Sequence, residues 1–403
     1  STFEHARLAP ASQMRLLRHS GKQIVDLEGD DFEFVNKVEI VKKGDKYGKP
    51  ASVPFSLPKG LRGGPQDRLE MEIDTSGLDT GVYQVLLKQL DGNARPVEVR
   101  VLEEPPAIAG LPLVANTGET RQVVALRGKG LGRITGIEAT GAGIELEAAA
   151  ATGDRRTMQV RLNPDARQGS KLDLRVRVRD YPEPLVLRGA LEVAGPRPRI
   201  LEATLAPPSG LEIALRPKEI PAGVYADVMM RTRGLRTDSR VEIGCKGGAS
   251  APFQARIGES AGGLRTQRTG NDSLFLSFDP APLPADCTAS ATVDNGREGA
   301  SDPFDLGRVI RIPHIQSFVL TSEAAGDNAY VGVLTGHDLE LIEKTGWDAA
   351  NGLPVLGLPT TTTGEGRTQS LKIRLPWPSP APHSPLYIWL RGEPQGRATT
   401  VKY

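Results

Sequence analysis

A chain of 403 residues exceeds the size at which one hydrophobic core keeps growing, so about two to four domains are expected. Its 50 Lys+Arg and 49 Asp+Glu leave a net charge of +1, which argues against a strong general polyanion binder, and no nucleic-acid partner is expected. Gly 45 and Pro 32 make up about 19% of the chain against roughly 12% in average usage, so many turns and few long helices are implied. Five His, two Cys and five Met leave little for a metal centre or a redox cofactor, and neither is expected. No window approaches 18 consecutive apolar residues, so no membrane-spanning helix is expected. The chain opens at Ser1 without a charged-then-apolar segment and reads as a processed or trimmed product, which leaves export open.

Along the chain one unit recurs. It begins with the turn Gly29-Asp-Asp-Phe32, continues with the alternating strand Arg68-Leu-Glu-Met-Glu-Ile73, and then with Gly81-Val-Tyr-Gln-Val-Leu and the hairpin signal Asp91-Gly92. A stiff joint, Glu104-Pro-Pro106, precedes the second copy: Gly128-Lys-Gly-Leu131, Thr157-Met-Gln-Val-Arg-Leu162, Lys171-Leu-Asp-Leu-Arg-Val-Arg-Val178 and Tyr181-Pro-Glu-Pro184. Past Gly195-Pro-Arg-Pro198 the third copy shows Arg233-Gly-Leu235, Ser273-Leu-Phe-Leu-Ser-Phe278, Cys287-Thr-Ala-Ser-Ala-Thr-Val293 and Asp294-Asn-Gly296. Past Ile312-Pro313 the fourth shows Gly336-His-Asp-Leu339, Ser370-Leu-Lys-Ile-Arg-Leu375, Pro385-Leu-Tyr-Ile-Trp-Leu390 and Arg391-Gly392. Phe32, Leu131, Leu235 and Leu339 are separated by 99, 104 and 104 residues, the length of one sandwich domain. The expected bounds are 1–104, 105–197, 198–313 and 314–403, and the short Pro-containing joints favour an extended array.

These turns and the closing hairpin Leu78-Asp-Thr-Gly-Val-Tyr-Gln-Val85 with Asp91-Gly92 resemble the IPT/TIG immunoglobulin-like domains and their bacterial relatives. The resemblance implies an array of immunoglobulin-like sandwiches from a bacterial exported or surface protein, placed extracellularly, at the cell surface or in the periplasm. The second copy departs from it at Tyr181-Pro-Glu-Pro184, where an Asp-Gly turn belongs, and the third copy is longer.

Several short motifs carry potential chemistry. Gly258-Glu-Ser260-Ala-Gly262-Gly263 matches the G-x-S-x-G nucleophile elbow, yet Leu264–Gly270 lacks helical spacing, no HGGG-like loop precedes it, and the nearest downstream His314 falls in the next joint. A Gly-rich loop is the expected reading. Trp347, Trp377 and Trp389 all lie in the last copy with Tyr387, and they are the candidate ligand-binding residues. Trp389 and Tyr387 share one strand face while Leu386, Ile388 and Leu390 share the other, so one set is core and one outward. One Trp filling a core and another covering an edge is the competing reading. Arg175, Arg177 and Arg179 alternate with Leu174, Val176 and Val178 into a basic strand face, either solvated or anion-binding. Gly29-Asp-Asp31 reads as a solvated turn rather than a Ca²⁺ loop, and Pro376-Trp-Pro-Ser-Pro-Ala-Pro-His-Ser-Pro385 as an inter-strand loop. Cys245 and Cys287, 42 positions apart without CxxC spacing, are expected to form a disulfide, two buried free thiols being the alternative.

The expected fold is therefore all-β: four tandem immunoglobulin-like β-sandwich domains. The expected function is non-catalytic, a spacer, scaffold or adhesion-type segment with a protein or glycan partner. A carbohydrate-binding or accessory module of an extracellular enzyme is the alternative.

Overall fold

A computed structural model describes residues 2–60, 63–249, 251–326, 328–362 and 367–403. The chain is all-β, four tandem immunoglobulin-like sandwiches, each enclosing its own apolar cluster. Contacts divide it into two compact units, Ser1–Gly195 and Pro196–Tyr403, with two sandwiches in each.

The period-2 segments form strands because every second side chain is apolar and enters a core. Arg68–Asp74 buries Leu69, Met71 and Ile73, Arg155–Leu162 buries Met158 and Val160, Ser273–Phe278 buries Leu274, Leu276 and Phe278, and Gln369–Pro376 buries Leu371, Ile373 and Leu375. Each of these strands pairs antiparallel with an earlier one that leads into the Gly-containing turn.

That turn carries the chain across each sandwich. Lys22–Glu28 lies in one sheet of the first sandwich and Lys37–Lys42 in the other; Ala226–Arg233 and Arg240–Cys245 divide the same way in the third, and Ala329–His337 and Ile342–Gly346 in the fourth. In the second, Gln122–Lys129 and Ile134–Ala139 sit at separate positions of a single eight-stranded sheet. Between the two strands stands a left-handed residue: Asp31 (φ 62°), Gly130 (φ 67°), Gly234 (φ 76°) or Asp338 (φ 56°). Gly and Asp are the residues that tolerate this region. The apolar residue after it, Phe32, Leu131 or Leu339, is completely buried, while Leu235 is partly buried against the third core. Two further glycines have a separate reason. A Cβ at Gly128 or Gly336 would fall 1.8 Å from the carbonyl oxygen of Ala107 or His314, where the entering strand crosses.

Along the last strand of each sandwich runs an earlier segment. In the first three it comes from the same sandwich and is parallel: Leu17 beside Leu102, Leu113–Asn116 beside Leu185–Ala194, and Glu219–Pro221 beside Phe304–Ile310. The fourth is different. Ile213 bridges Thr399 antiparallel, the Ala214 amide donates to the Ala398 carbonyl (2.9 Å), and the Thr400 amide donates to the Glu212 carbonyl (2.8 Å). Ile213, buried, belongs to the fourth core. A segment numerically inside 198–313 thus completes the sandwich that follows, a crossing the repeat spacing does not show.

The crossing is fastened by a buried guanidinium. Arg397 donates from Nη1 and Nη2 to the two carboxylate oxygens of Glu219 (2.6 and 2.7 Å), to Glu393 (2.6 to 3.1 Å), and to the Ala214 carbonyl (3.2 Å). Burial pushes the Glu219 carboxyl up, but Arg397 and the Arg216 amide outweigh it and hold the group below its usual 4.5. Burial likewise disfavours the Arg397 charge, and the two carboxylates more than reverse this, raising it above its ordinary value.

The third sandwich also holds the disulfide Cys245–Cys287, which closes a loop with sequence separation 42. Loop-closure entropy gives such a link about 4 kcal/mol. The Gly258–Gly263 segment is a hairpin rather than a loop: Ser260–Ala261 pairs with Leu264–Gly270 through Gly262 (φ 56°) and Gly263 (φ 80°). The glycines supply the left-handed turn that a tight hairpin needs, which is why they look loop-like in the sequence.

Removing Arg397 takes the closest cation from the buried Glu219 and the half-buried Glu393, and leaves them only the longer contacts to Arg308 (3.4 Å) and Arg216 (3.6 Å). Arg397→Ala is expected to lower the stability of the Pro196–Tyr403 unit by roughly 3–5 kcal/mol at neutral pH, read by denaturant unfolding. The sign of the acid dependence follows from Glu219. A carboxyl depressed in the fold stabilises above its unfolded value near 4.5, and that contribution disappears as pH falls through its folded value. Wild type should therefore weaken on acidification below about pH 4.5, whereas Arg397→Ala should lose less, because carboxyls that have lost their closest cation are relieved by protonation.

Candidate binding surface

The aromatic residues of the last sandwich separate into two groups. Trp377 stands just beyond Gln369–Pro376, where its amide donates to the Asn328 carbonyl (2.8 Å), and its side chain is 62% exposed. Tyr330 sits opposite Leu375 on the neighbouring strand, which brings its ring edge-on to Trp377 with centroids 6.1 Å apart. Trp347 follows the strand Ile342–Gly346 of the other sheet and reaches back across the core opening. Its Nε1 donates to the Tyr330 hydroxyl (2.8 Å), and its ring meets Phe318 at 6.1 Å and Tyr403 at 5.4 Å, both edge-on. Five aromatic rings therefore form one connected cluster at an end of the sandwich, with Trp377 most exposed and Tyr403 39% exposed.

Edge-to-face contacts of this kind hold a ring in place while leaving its other surfaces free. The Tyr330 hydroxyl, pushed up by burial, stays protonated at neutral pH; it accepts from Trp347 and is also hydrogen-bonded to the Ser379 side chain. The arrangement offers a fixed apolar platform with polar atoms at its margin.

Trp389 is elsewhere. It lies on the outward face of Pro385–Leu390, opposite the core-facing Leu386, Ile388 and Leu390, yet only 2% of it is exposed. Its ring covers Gly352 and Gly396, where an added Cβ would fall 2.7 and 2.8 Å from ring carbons. The two glycines make the slot, so Trp389 cannot present a face to a ligand and is a packing residue. Tyr387 shares its strand face, is half-buried, and lies between Gly346 and Ala398 in register. Of the four sequence candidates, Trp347 and Trp377 come together and the other two do not join them. Tyr330, Phe318 and Tyr403 complete the cluster and were missed. The signal was present for Tyr330, since pairing the strand before Pro376 with the alternating strand Ala329–His337 places it beside Leu375.

Ser260 is exposed on the edge of an antiparallel hairpin, opposite Arg265, with no helix following it. The strand-to-helix geometry of a nucleophile elbow is not formed there. Among the described residues no group of three His, Cys, Asp or Glu converges as a metal-ligand set.

No known family matches the chain, and no curated protein matches it. Solved structures do. SGBP-B of the Bacteroides ovatus mixed-linkage glucan utilization locus, solved with a mixed-linkage heptasaccharide, shares 14% identity over 60% of this chain and 60% of its own, with a TM-score of 0.21. SGBP-B from a complex xyloglucan utilization locus of Bacteroides uniformis shares 11% over 76% and 99%, with a TM-score of 0.21. The D1–D4 ectodomain fragment of ICAM-5 shares 10% over 98% and 99%, with a TM-score of 0.22. The chain spans 60% of the first of these. At such identities and scores the overlays say nothing of a shared ligand, and the functional reading rests on this chain's own residues.

The two tryptophan environments predict opposite mutational costs. Trp389→Ala should lower stability by roughly 3–5 kcal/mol, and Trp377→Ala by no more than about 0.5 kcal/mol, both read by denaturant unfolding.

Proposed function

We propose that the chain is a non-catalytic, adhesion-type binding segment of an exported or cell-surface protein, and that it meets its partner through the aromatic end of the last sandwich. The observation that carries the reading is the exposed Trp377 ring, clamped edge-on by Tyr330 rather than folded into a core. A large ring held at the surface, with its ordering cost already met by its neighbours, is the usual anchor of a contact surface. Export is supported by the Cys245–Cys287 disulfide, a linkage that persists in oxidising compartments. The bounds 1–104, 105–197, 198–313 and 314–403 belong to the same proposal, with 211–215 contributed forward to the last sandwich.

A glycan partner is the second reading, favoured by the same ring, because an exposed indole with a single edge-on neighbour, Tyr330, matches the apolar face of a sugar. Binding to a panel of immobilised polysaccharides and surface proteins separates the two readings. Trp377→Ala should weaken the interaction found by roughly 30-fold or more, while Trp377→Phe retains part of it. Full-strength binding by Trp377→Ala would overturn the assignment of the surface. Turnover of a nitrophenyl ester that is lost in Ser260→Ala would overturn the non-catalytic reading.

A further inference from the structure

A second surface, in the Ser1–Gly195 unit, has a different chemistry. Where the first sandwich hands over to the second, two adjoining clefts of about 300 and 260 Å³ share Glu103 and Arg133 in their walls. The first also shares Arg100 and Asp180 with a larger cleft of about 790 Å³. Arg179 and Lys129 complete the basic lining.

The carboxylates here are largely spent. Glu103 binds Arg18 (3.0 Å), Asp180 faces Arg100 (3.7 Å), and Glu98 of the larger cleft is held by Lys43. Lys129, Arg133 and Arg179 have no carboxylate within ion-pair distance among the described residues, which leaves three cations against the free carboxylate of Glu104. Arg133 is held in place: its guanidinium donates to the Glu104 carbonyl and to the Tyr181 hydroxyl, and it lies over Gly130, where a Cβ would come within 2.9 Å of it. The Arg179 amide donates to the Arg133 carbonyl (2.8 Å), fixing the two arginines side by side. Arg179 ends the basic face that the sequence shows at Arg175 and Arg177.

We propose that this groove binds an anionic polysaccharide, a sugar chain carrying carboxylate or sulfate groups. The excess of cations over free carboxylates selects negative charge, and Thr80 and the neighbouring carbonyls offer acceptors for hydroxyls. A peptide added as a strand is disfavoured, because Leu102 of the edge is already bonded by backbone to Leu16 and Arg18. A nucleic-acid strand is disfavoured too: the lining of the three clefts holds two rings, the exposed His19 and the half-buried Tyr181 whose hydroxyl donates to the Glu103 carbonyl (2.5 Å), rather than a run of aromatic faces for base stacking. The net charge of +1 gives no long-range attraction to such a chain, so binding depends on the groove itself.

The test uses the full chain against immobilised polygalacturonate, heparin, poly-glutamate and neutral dextran at about 50 mM salt. Binding to polygalacturonate identifies carboxylate as the anion, and binding to heparin identifies sulfate. Lys129→Gln with Arg179→Gln removes two cations that make no ion pair, so folding is spared. This pair should reduce binding roughly tenfold or more and lower the salt slope by about 2. Arg161→Gln with Arg188→Gln, exposed on the same sandwich outside the groove, should leave binding unchanged. No binding to either acidic polysaccharide, an equal loss in the control pair, or equally tight binding to dextran or poly-glutamate would each overturn the proposal. The readout is independent of Trp377, so its failure is distinct from failure of the aromatic contact.

Discussion

One left-handed residue per sandwich, followed by an apolar side chain, fixes how the rest of each domain is arranged. At Asp31, Gly130, Gly234 and Asp338 the backbone enters the left-handed region, in three of the four copies it then makes one 3-10 turn (Phe32–Phe34, Leu131–Arg133, Leu339–Leu341), and the side chain that follows the left-handed residue drops toward the core. A strand that simply continued would stay in its own sheet. The turn instead delivers Lys37–Lys42, Arg240–Cys245 and Ile342–Gly346 to the opposite sheet, so that two half-buried sheets enclose one core. In three of the four copies the plug residue's amide is also tied to the facing segment: Phe32 to the Gln66 carbonyl (3.1 Å), Leu131 to the Gly153 carbonyl (3.0 Å) and Leu339 to the Gln369 side-chain oxygen (2.7 Å). The crossing point thereby closes both a core and a backbone.

Once the crossing is set, the remaining problem is the last strand, whose free edge must be covered. Three sandwiches cover it from their own chain. The fourth takes residues 212–214 from the segment before Glu219–Pro221, and the Arg397 guanidinium binds the donor's Glu219 and the receiver's Glu393 together. A buried charge is expensive to desolvate and stays favourable only with its partners in place, so it specifies this pairing more than it adds stability. The last two sandwiches consequently form one compact unit, and the aromatic end of the fourth is carried on that shared scaffold.

Much of this was legible in the sequence. Strict alternation in Ser273–Phe278 and Lys171–Val178 leaves little choice but a half-buried strand, and the recurring Gly-containing turns with their apolar residue mark the repeat, although not that the chain changes sheet there in the first, third and fourth copies. The borrowed strand was not legible, because Leu211–Leu215 is too short for periodicity and its partner lies almost 190 positions away. Trp389 misled for a related reason: alternation correctly placed it on the outward face, but its ring lies in a slot left by Gly352, on a strand one removed in the sheet, and by Gly396, just before the last strand. Within the aromatic cluster, Trp347 and Trp377 were conspicuous by residue type. The neighbours that orient them, Tyr330, Phe318 and Tyr403, depend on register. The basic groove draws on positions from Arg18 to Asp180, and only its Arg179 edge showed in the sequence.

Native-state hydrogen exchange tests the crossing most directly, because the amides of Phe32, Leu131 and Leu339 sit in what the sequence alone reads as turns. If those plugs hold the sheets together, their amides should exchange only through unfolding of their whole sandwich, as slowly as the central strand amides of Leu69, Met158 and Leu371. Exchange at the rate of the surrounding turns, while those strands remain protected, would contradict the account.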